Sequence, residues 1–136
     1  MIDKIHHIGV AVKSIDGALT TFRDALGLAV QGTEEMPDRG LKIAFLQVGD
    51  SLIELLEPTS DASTVAKFLR VRGEGIHHVC LQVTDIDAAL AEAKAKGLQL
   101  IDETPRSGGG GGRIAFIHPS STHGVLIELE EVGGCH

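Results

Sequence analysis

The chain repeats its own sequence, and this internal duplication restricts its fold more than any other feature. The segment Ile-His-His-Ile-Gly-Val-Ala-Val at residues 5–12 recurs, 71 residues later, as Ile-His-His-Val-Cys-Leu-Gln-Val at residues 76–83. The other repeated segments follow in the same order, at a spacing of 71 or 74 residues: 14–19 with 85–90, 43–46 with 114–117, and 52–55 with 126–129. A three-residue insertion near residues 120–123 accounts for the change in spacing. Four segments in one order indicate two copies of one structural unit.

Each copy predicts a βαβββ module. An alternating apolar strand comes first, and Asp16 or Asp87 lies near the start of a helical pattern that ends at about Gly27 or Gly97. Three more short strands are predicted in each module, at about 28–33, 41–48 and 51–57 in the first and at about 98–103, 113–118 and 125–131 in the second. We therefore expect an α+β fold with two tandem βαβββ modules.

A chain of 136 residues predicts a single domain over 1–136. Its first module covers about 4–58, a linking helix about 61–72, and its second module about 75–131. Five successive glycines end the stretch 107–112 and predict a flexible loop between two strands of the second module.

The charge of the chain excludes several classes of partner. Twelve Lys and Arg residues stand against 19 Asp and Glu residues, so the net charge is −7 and the basic surface of a nucleic-acid-binding protein is missing. The apolar runs are too short for a membrane helix, and the first residues do not resemble a signal peptide. Two cysteines, Cys80 and Cys135 in a frayed tail, are too few for a disulfide framework. We expect a cytoplasmic protein with a small-molecule partner, and no binding to nucleic acid or membrane.

The alternation of side chains along a strand selects one histidine from each His-His pair. In the first strand, Ile8, Val10 and Val12 form an apolar face, which leaves His7 on the opposite face with the small residues Gly9 and Ala11. The repeated strand has the same pattern and places His78 on the face opposite its apolar residues. His7 and His78 are therefore the candidate ligands, and the flanking histidines His6 and His77 are interpreted as structural.

Two glutamates lie within apolar strands at equivalent positions of the repeat. Glu54 is in Leu-Ile-Glu-Leu-Leu and Glu128 is in Leu-Ile-Glu-Leu. Burying a carboxylate is costly unless it is paired or binds a metal. Two imidazoles and two carboxylates suit a divalent ion such as Zn²⁺, Co²⁺ or Ni²⁺. The sequence therefore predicts a metal site made of His7, Glu54, His78 and Glu128.

The chain resembles the vicinal oxygen chelate (glyoxalase) superfamily, and within it the methylmalonyl-CoA epimerases. The segments that carry this resemblance are residues 54–58, 67–69, 72–78, 113–119 and 124–129, and it extends from Ile5 to Glu130. The resemblance implies a cupped, mainly antiparallel sheet around the metal site and a homodimer. It implies Co²⁺ as the first expectation for the ion, with Zn²⁺, Ni²⁺ or Mn²⁺ as alternatives. Some members of the family have Gln at the position of Glu54, and some have an acidic residue near the position of Ile43.

The activity that the resemblance implies is the interconversion of (2R)- and (2S)-methylmalonyl-CoA. The hypothesis for its mechanism is that Glu128 and Glu54 act as base and acid on the two faces of C2. Gln47 and His118 are related by the same spacing of 71 residues and are candidates for substrate binding.

Two other functions remain open at this point. A lactoylglutathione lyase (glyoxalase I-like) would use the same ligand set for a proton shift in a hemithioacetal. A metal-free small-molecule-binding protein of the same fold would not need four ligand-type residues. Such proteins commonly bind their ligands with aromatic side chains, and this chain has four Phe and no Trp or Tyr.

Overall fold

The structure is a computed structural model and describes residues 2–133, so Cys135 and the predicted frayed tail lie outside the described residues. The chain divides into two compact units. The first unit is His7–His77, and the second unit combines residues 2–6 with residues 78–133. Within residues 2–133, no helix has both the length and the apolar character needed to cross a membrane.

The first unit has four strands in the order β2-β3-β4-β1. The innermost pair, β1 and β4, is parallel, and the other pairs are antiparallel. A π-helical turn over Thr20–Ala25 extends its first helix. The elements are β1 (Ile2–Ala11), α1 (Ile15–Leu19), β2 (Ala29–Met36), β3 (Leu41–Val48), β4 (Ser51–Pro58) and α2 (Thr64–Arg72).

The second unit repeats this order as β6-β7-β8-β5. Its β5 and β8 are parallel, and β7 is antiparallel to both β8 and β6. The predicted βαβββ module is therefore confirmed in both copies. The elements are β5 (Gly75–Val83), α3 (Ile86–Ala95), β6 (Arg106–Ser107), β7 (Arg113–Ile117) and β8 (Ile127–Glu131).

The predicted strand at 98–103 is wrong. In its place there is a single bridge between Leu100 and Ile117, and strand pairing resumes only at the two-residue β6. The Asp102 carboxylate accepts a hydrogen bond of 2.9 Å from the Phe116 amide, so a side chain takes the place of a main-chain partner. Pro105 then lacks the N–H that a strand ladder needs. Together these residues confine the pairing to short pieces.

A glutamate from the closing strand holds the start of the main helix in each unit. The Ile15 amide donates to Glu57 Oε1 at 2.7 Å, and the Ile86 amide donates to Glu131 Oε1 at 3.0 Å. A carboxylate at a helix N-terminus satisfies an unpaired N–H and interacts favourably with the helix dipole. These two bonds are equivalent in the repeat, so the duplication includes the fastening of each helix to its strand.

Replacing either glutamate with alanine is expected to lower the free energy of unfolding by about 1–2 kcal/mol, because each provides a charged cap. Urea unfolding of Glu57→Ala and Glu131→Ala measures the effect. The exposed Glu35 on β2 provides a matched control, and Glu35→Ala is expected to change stability by less than about 0.5 kcal/mol. A cap variant as stable as this control would contradict the role given to that cap.

The sheet of the first unit has two apolar faces. The helix α1 covers one face, where Val12, Ile15 and Leu19 pack with residues of β3 and β4. The helix α2 contributes Val65 to the other face, together with Ala11, Leu41, Ile43 and Leu56. In the second unit, α3 packs through Ile86 and Leu90 on the face that holds Val83. The predicted assignment of alternate strand residues to opposite faces is therefore confirmed.

Candidate functional site

The first unit brings His7 and Glu54 together on the face away from α1. Because β1 and β4 are parallel, with Gly9 opposite Glu54, the two side chains project from neighbouring strands towards each other. His7 Nδ1 lies 3.0 Å from Glu54 Oε2, and both residues are buried. Gly9 has no side chain to separate them.

The second unit repeats the pair with His78 and Glu128. The strands β5 and β8 are parallel, and Cys80 lies opposite Glu128 just as Gly9 lies opposite Glu54. His78 Nε2 lies 2.9 Å from Glu128 Oε1, and both residues are buried. The Phe116 ring contacts the His78 imidazole edge-on, with 5.6 Å between the ring centroids, and this contact restrains the imidazole. The duplication thus extends from sequence to the register of the strands and to the contact between side chains.

Each pair offers one imidazole nitrogen and one carboxylate oxygen at a separation that suits a common ion. Two ligand atoms that lie about 2.1 Å from an ion, at right angles to each other, are about 3 Å apart. The observed separations of 3.0 and 2.9 Å agree with this value. Imidazole and carboxylate together suit borderline divalent ions. The residues in each unit therefore fit the metal that the sequence predicts.

A further buried carboxylate, Glu130, lies beside the second pair. Burial raises the pKa of Glu130 to about 8, and the charge of Glu128 adds to this effect. Glu130 Oε1 lies 3.4 Å from His6 Nδ1 and 3.7 Å from Cys80 Sγ. Its other oxygen lies where a side chain at Gly112 would begin, since a Cβ there would be 2.5 Å from Glu130 Oε2. The glycine run therefore packs closely against this carboxyl group.

Sequence reasoning did not select Glu130 or Cys80, although the necessary signal was present. Glu130 is two residues after Glu128 and so shares its face of β8, and Cys80 shares a face with His78 in the same way. The first unit has Leu56 and Gly9 at the equivalent positions, so this second set of polar residues has no counterpart in the repeat.

Gln47 and His118 are both bonded to the backbone of their own turns. The Gln47 side-chain amide donates to the carbonyl groups of Gly49 and Ser51. His118 Nδ1 accepts a hydrogen bond of 3.0 Å from the Ser120 amide, which caps a short 3₁₀ turn. Their role in substrate binding stays a prediction.

Residues 6–116 match the family described as Glyoxalase/Bleomycin resistance protein/Dioxygenase superfamily. The chain is 35% identical over 134 residues to the ethylmalonyl-CoA/methylmalonyl-CoA epimerase of Cereibacter sphaeroides, an alignment that covers 97% of this chain and 100% of that protein.

Two solved structures are similar over almost their whole length. A hypothetical protein from Bacillus halodurans is 45% identical, with a TM-score of 0.95 and coverage of 98% of this chain and 96% of that one. A variant of Streptomyces coelicolor methylmalonyl-CoA epimerase in complex with 2-nitronate-propionyl-CoA is 37% identical, with a TM-score of 0.94 and coverage of 97% and 96%. These similarities bear out the fold expected from the sequence.

Proposed function

We propose a function on the premise that this chain belongs to the glyoxalase/bleomycin resistance protein/dioxygenase superfamily. The chain is an epimerase that interconverts (2R)- and (2S)-methylmalonyl-CoA. The observation that carries this proposal is the buried His–Glu pair that each unit repeats, with separations of 3.0 and 2.9 Å. Support comes from relatives that are named as epimerases of this substrate, one of them solved with 2-nitronate-propionyl-CoA.

We propose that His7, Glu54, His78 and Glu128 together bind one divalent ion, with Co²⁺ as the first expectation and Zn²⁺, Ni²⁺ or Mn²⁺ as alternatives. The equivalence of the two pairs in the repeat supports a shared purpose, and each pair provides ligand atoms of the right type and spacing. Such an ion supplies Lewis-acid stabilisation of the negative charge that develops on the substrate.

The glutamates of the two pairs carry the proton transfer in this proposal. The proton at C2 lies between a thioester carbonyl and a carboxylate, and both groups delocalise the charge left when it is removed. One glutamate takes this proton from one face, which leaves an enolate of the substrate. The other glutamate, in its protonated form, returns a proton to the opposite face. Having one carboxylate on each repeated module provides two such groups.

We also propose that the protein works as a homodimer in the cytoplasm. The family resemblance supports both statements, and Gln47 and His118 stay candidates for substrate contact on the same basis. The elution volume on size exclusion with light scattering gives the mass of the particle directly.

The reaction is tested by incubating the metal-reconstituted protein with one epimer of methylmalonyl-CoA in D₂O. Mass spectrometry follows deuterium at C2, and a stereospecific mutase follows the other epimer. We expect rapid deuteration together with epimerisation in the presence of the ion, and background rates for metal-free protein.

Other outcomes would overturn the proposal. If the ion binds but deuteration stays at the background rate, the epimerase proposal is wrong, and the hemithioacetal of glutathione and methylglyoxal is the next substrate to test. If no ion binds, the metal-dependent mechanism is wrong and a ligand-binding protein of the same fold is the better description.

A further inference from the structure

The second unit holds three potential metal ligands that the proposed epimerase mechanism does not use. They are the imidazole of His6, the thiol of Cys80 and the carboxylate of Glu130. Cys80 and Glu130 are buried, and the side chain of His6 is 17% exposed. One ligand atom from each, a nitrogen, a sulfur and an oxygen, lies within 4.8 Å of the others.

The distances in this cluster agree with tetrahedral coordination. Ligand bonds of about 2.0–2.1 Å to nitrogen, 2.1 Å to oxygen and 2.3 Å to sulfur place tetrahedral neighbours about 3.4 Å (N···O) and 3.6 Å (S···O) apart. The structure has 3.4 Å between His6 Nδ1 and Glu130 Oε1, and 3.7 Å between Cys80 Sγ and Glu130 Oε1. Charge-assisted hydrogen bonds are shorter, at about 2.7–2.9 Å for nitrogen and oxygen. The spacing therefore suits a shared ion better than direct hydrogen bonds.

The surroundings also fix the carboxylate in place. Glu130 Oε2 packs against Gly112, where a Cβ would lie 2.5 Å from it, so the glycine loop closes over the side of the carboxylate away from His6 and Cys80. Oε1 is left directed at the nitrogen and the sulfur. A ligand held in one orientation loses little entropy when an ion binds.

We propose that His6, Cys80 and Glu130 form a second metal site that takes a thiophilic divalent ion of the Zn²⁺ and Cd²⁺ class. Three protein ligands, one of them a thiolate, are a common donor set for tetrahedral zinc, and thiolate favours these ions over Mg²⁺ or Mn²⁺. The proposal does not depend on the epimerase activity, because the proposed catalytic ion has only nitrogen and oxygen ligands.

The sulfur ligand provides a spectroscopic test with Co²⁺ as the probe. The full-length protein, with its thiols reduced, is titrated with Co²⁺ while the near-ultraviolet thiolate-to-cobalt charge-transfer band is recorded. We expect a band of wild-type intensity in the control Cys135→Ser and loss of the band in Cys80→Ser. Elemental analysis is expected to give two ions for each wild-type chain and one for Cys80→Ser. Zn²⁺ or Cd²⁺ is expected to abolish the band by displacement.

A second variant separates ligation from folding, since Cys80 is fully buried. His6 is partly exposed, and His6→Asn retains the thiol while removing the imidazole. We expect the Co²⁺ concentration at half-maximal band intensity to rise at least about tenfold, as the loss of even an outer-shell partner costs 10–100-fold in affinity. Absence of the band in wild-type protein that binds Co²⁺, or a band unchanged in both His6→Asn and Cys80→Ser, would overturn the second site.

Discussion

Glu128→Gln is expected to stop epimerisation while leaving one epimer of methylmalonyl-CoA able to exchange its C2 proton with D₂O. In the proposed mechanism each glutamate serves one face of C2, so the loss of one base leaves the other to deprotonate its own epimer. The epimerisation rate should fall by about 10²–10⁴-fold, the usual contribution of a positioned acid or base. The side-chain oxygen of glutamine can still bind an ion, and metal analysis should give an unchanged content.

Glu54→Gln is the matched partner of this experiment, because Glu54 and Glu128 are equivalent in the repeat. It should give the opposite pattern, with exchange retained only for the other epimer. The exposed Glu92 on α3 provides the control, and Glu92→Gln should leave both rates unchanged. If Glu128→Gln retains its metal and still exchanges both epimers at the wild-type rate, Glu128 is not a base.

Removal of the metal is expected to have the second large effect. A chelator should reduce C2 deuteration of both epimers to the background rate, because no other group in the proposal stabilises the enolate charge. Addition of Co²⁺ should restore the exchange. Both readings come from the same mass-spectrometric assay, and metal analysis before and after dialysis links the rate to the ion content.

His78→Ala tests the same site from the protein side. Loss of a direct ligand should raise the Co²⁺ concentration needed for half-maximal exchange by more than about 100-fold, since outer-shell changes alone cost 10–100-fold. His123 lies in a turn with φ of 57°, and His123→Asn is the control because asparagine tolerates that backbone conformation. Full exchange after metal removal, or equal metal affinity in His78→Ala and His123→Asn, would contradict a metal-dependent reaction.

The repeat and the alternation of strand residues predicted most of the candidate site. His7 and His78 could be separated from their neighbours because β-strand side chains alternate, and Glu54 and Glu128 could be selected because a carboxylate in an apolar strand needs a partner. The structure brings each His to within 3.0 Å of its Glu. Sequence could select these residues because both copies carry the same pattern.

The features that sequence missed depend on contacts between distant residues. The hydrogen bond from the Phe116 amide to Asp102 interrupts a strand that an apolar pattern had predicted at 98–103. The cluster of His6, Cys80 and Glu130 joins three segments, and the first module has no counterpart to its Cys80 and Glu130. Comparison of the two copies cannot find a site that only one copy possesses.

The three-residue spacing between the site glutamate and the helix-capping glutamate constrains how this chain can vary in length. An odd spacing along a strand puts two side chains on opposite faces, so Glu54 points away from α1 while Glu57 reaches its amide. Glu128 and Glu131 repeat the arrangement. An insertion or deletion of one residue between the members of either pair would turn one carboxylate onto the wrong face. The difference in length between the two copies, three residues near 120–123, lies outside both stretches, where it leaves this parity intact.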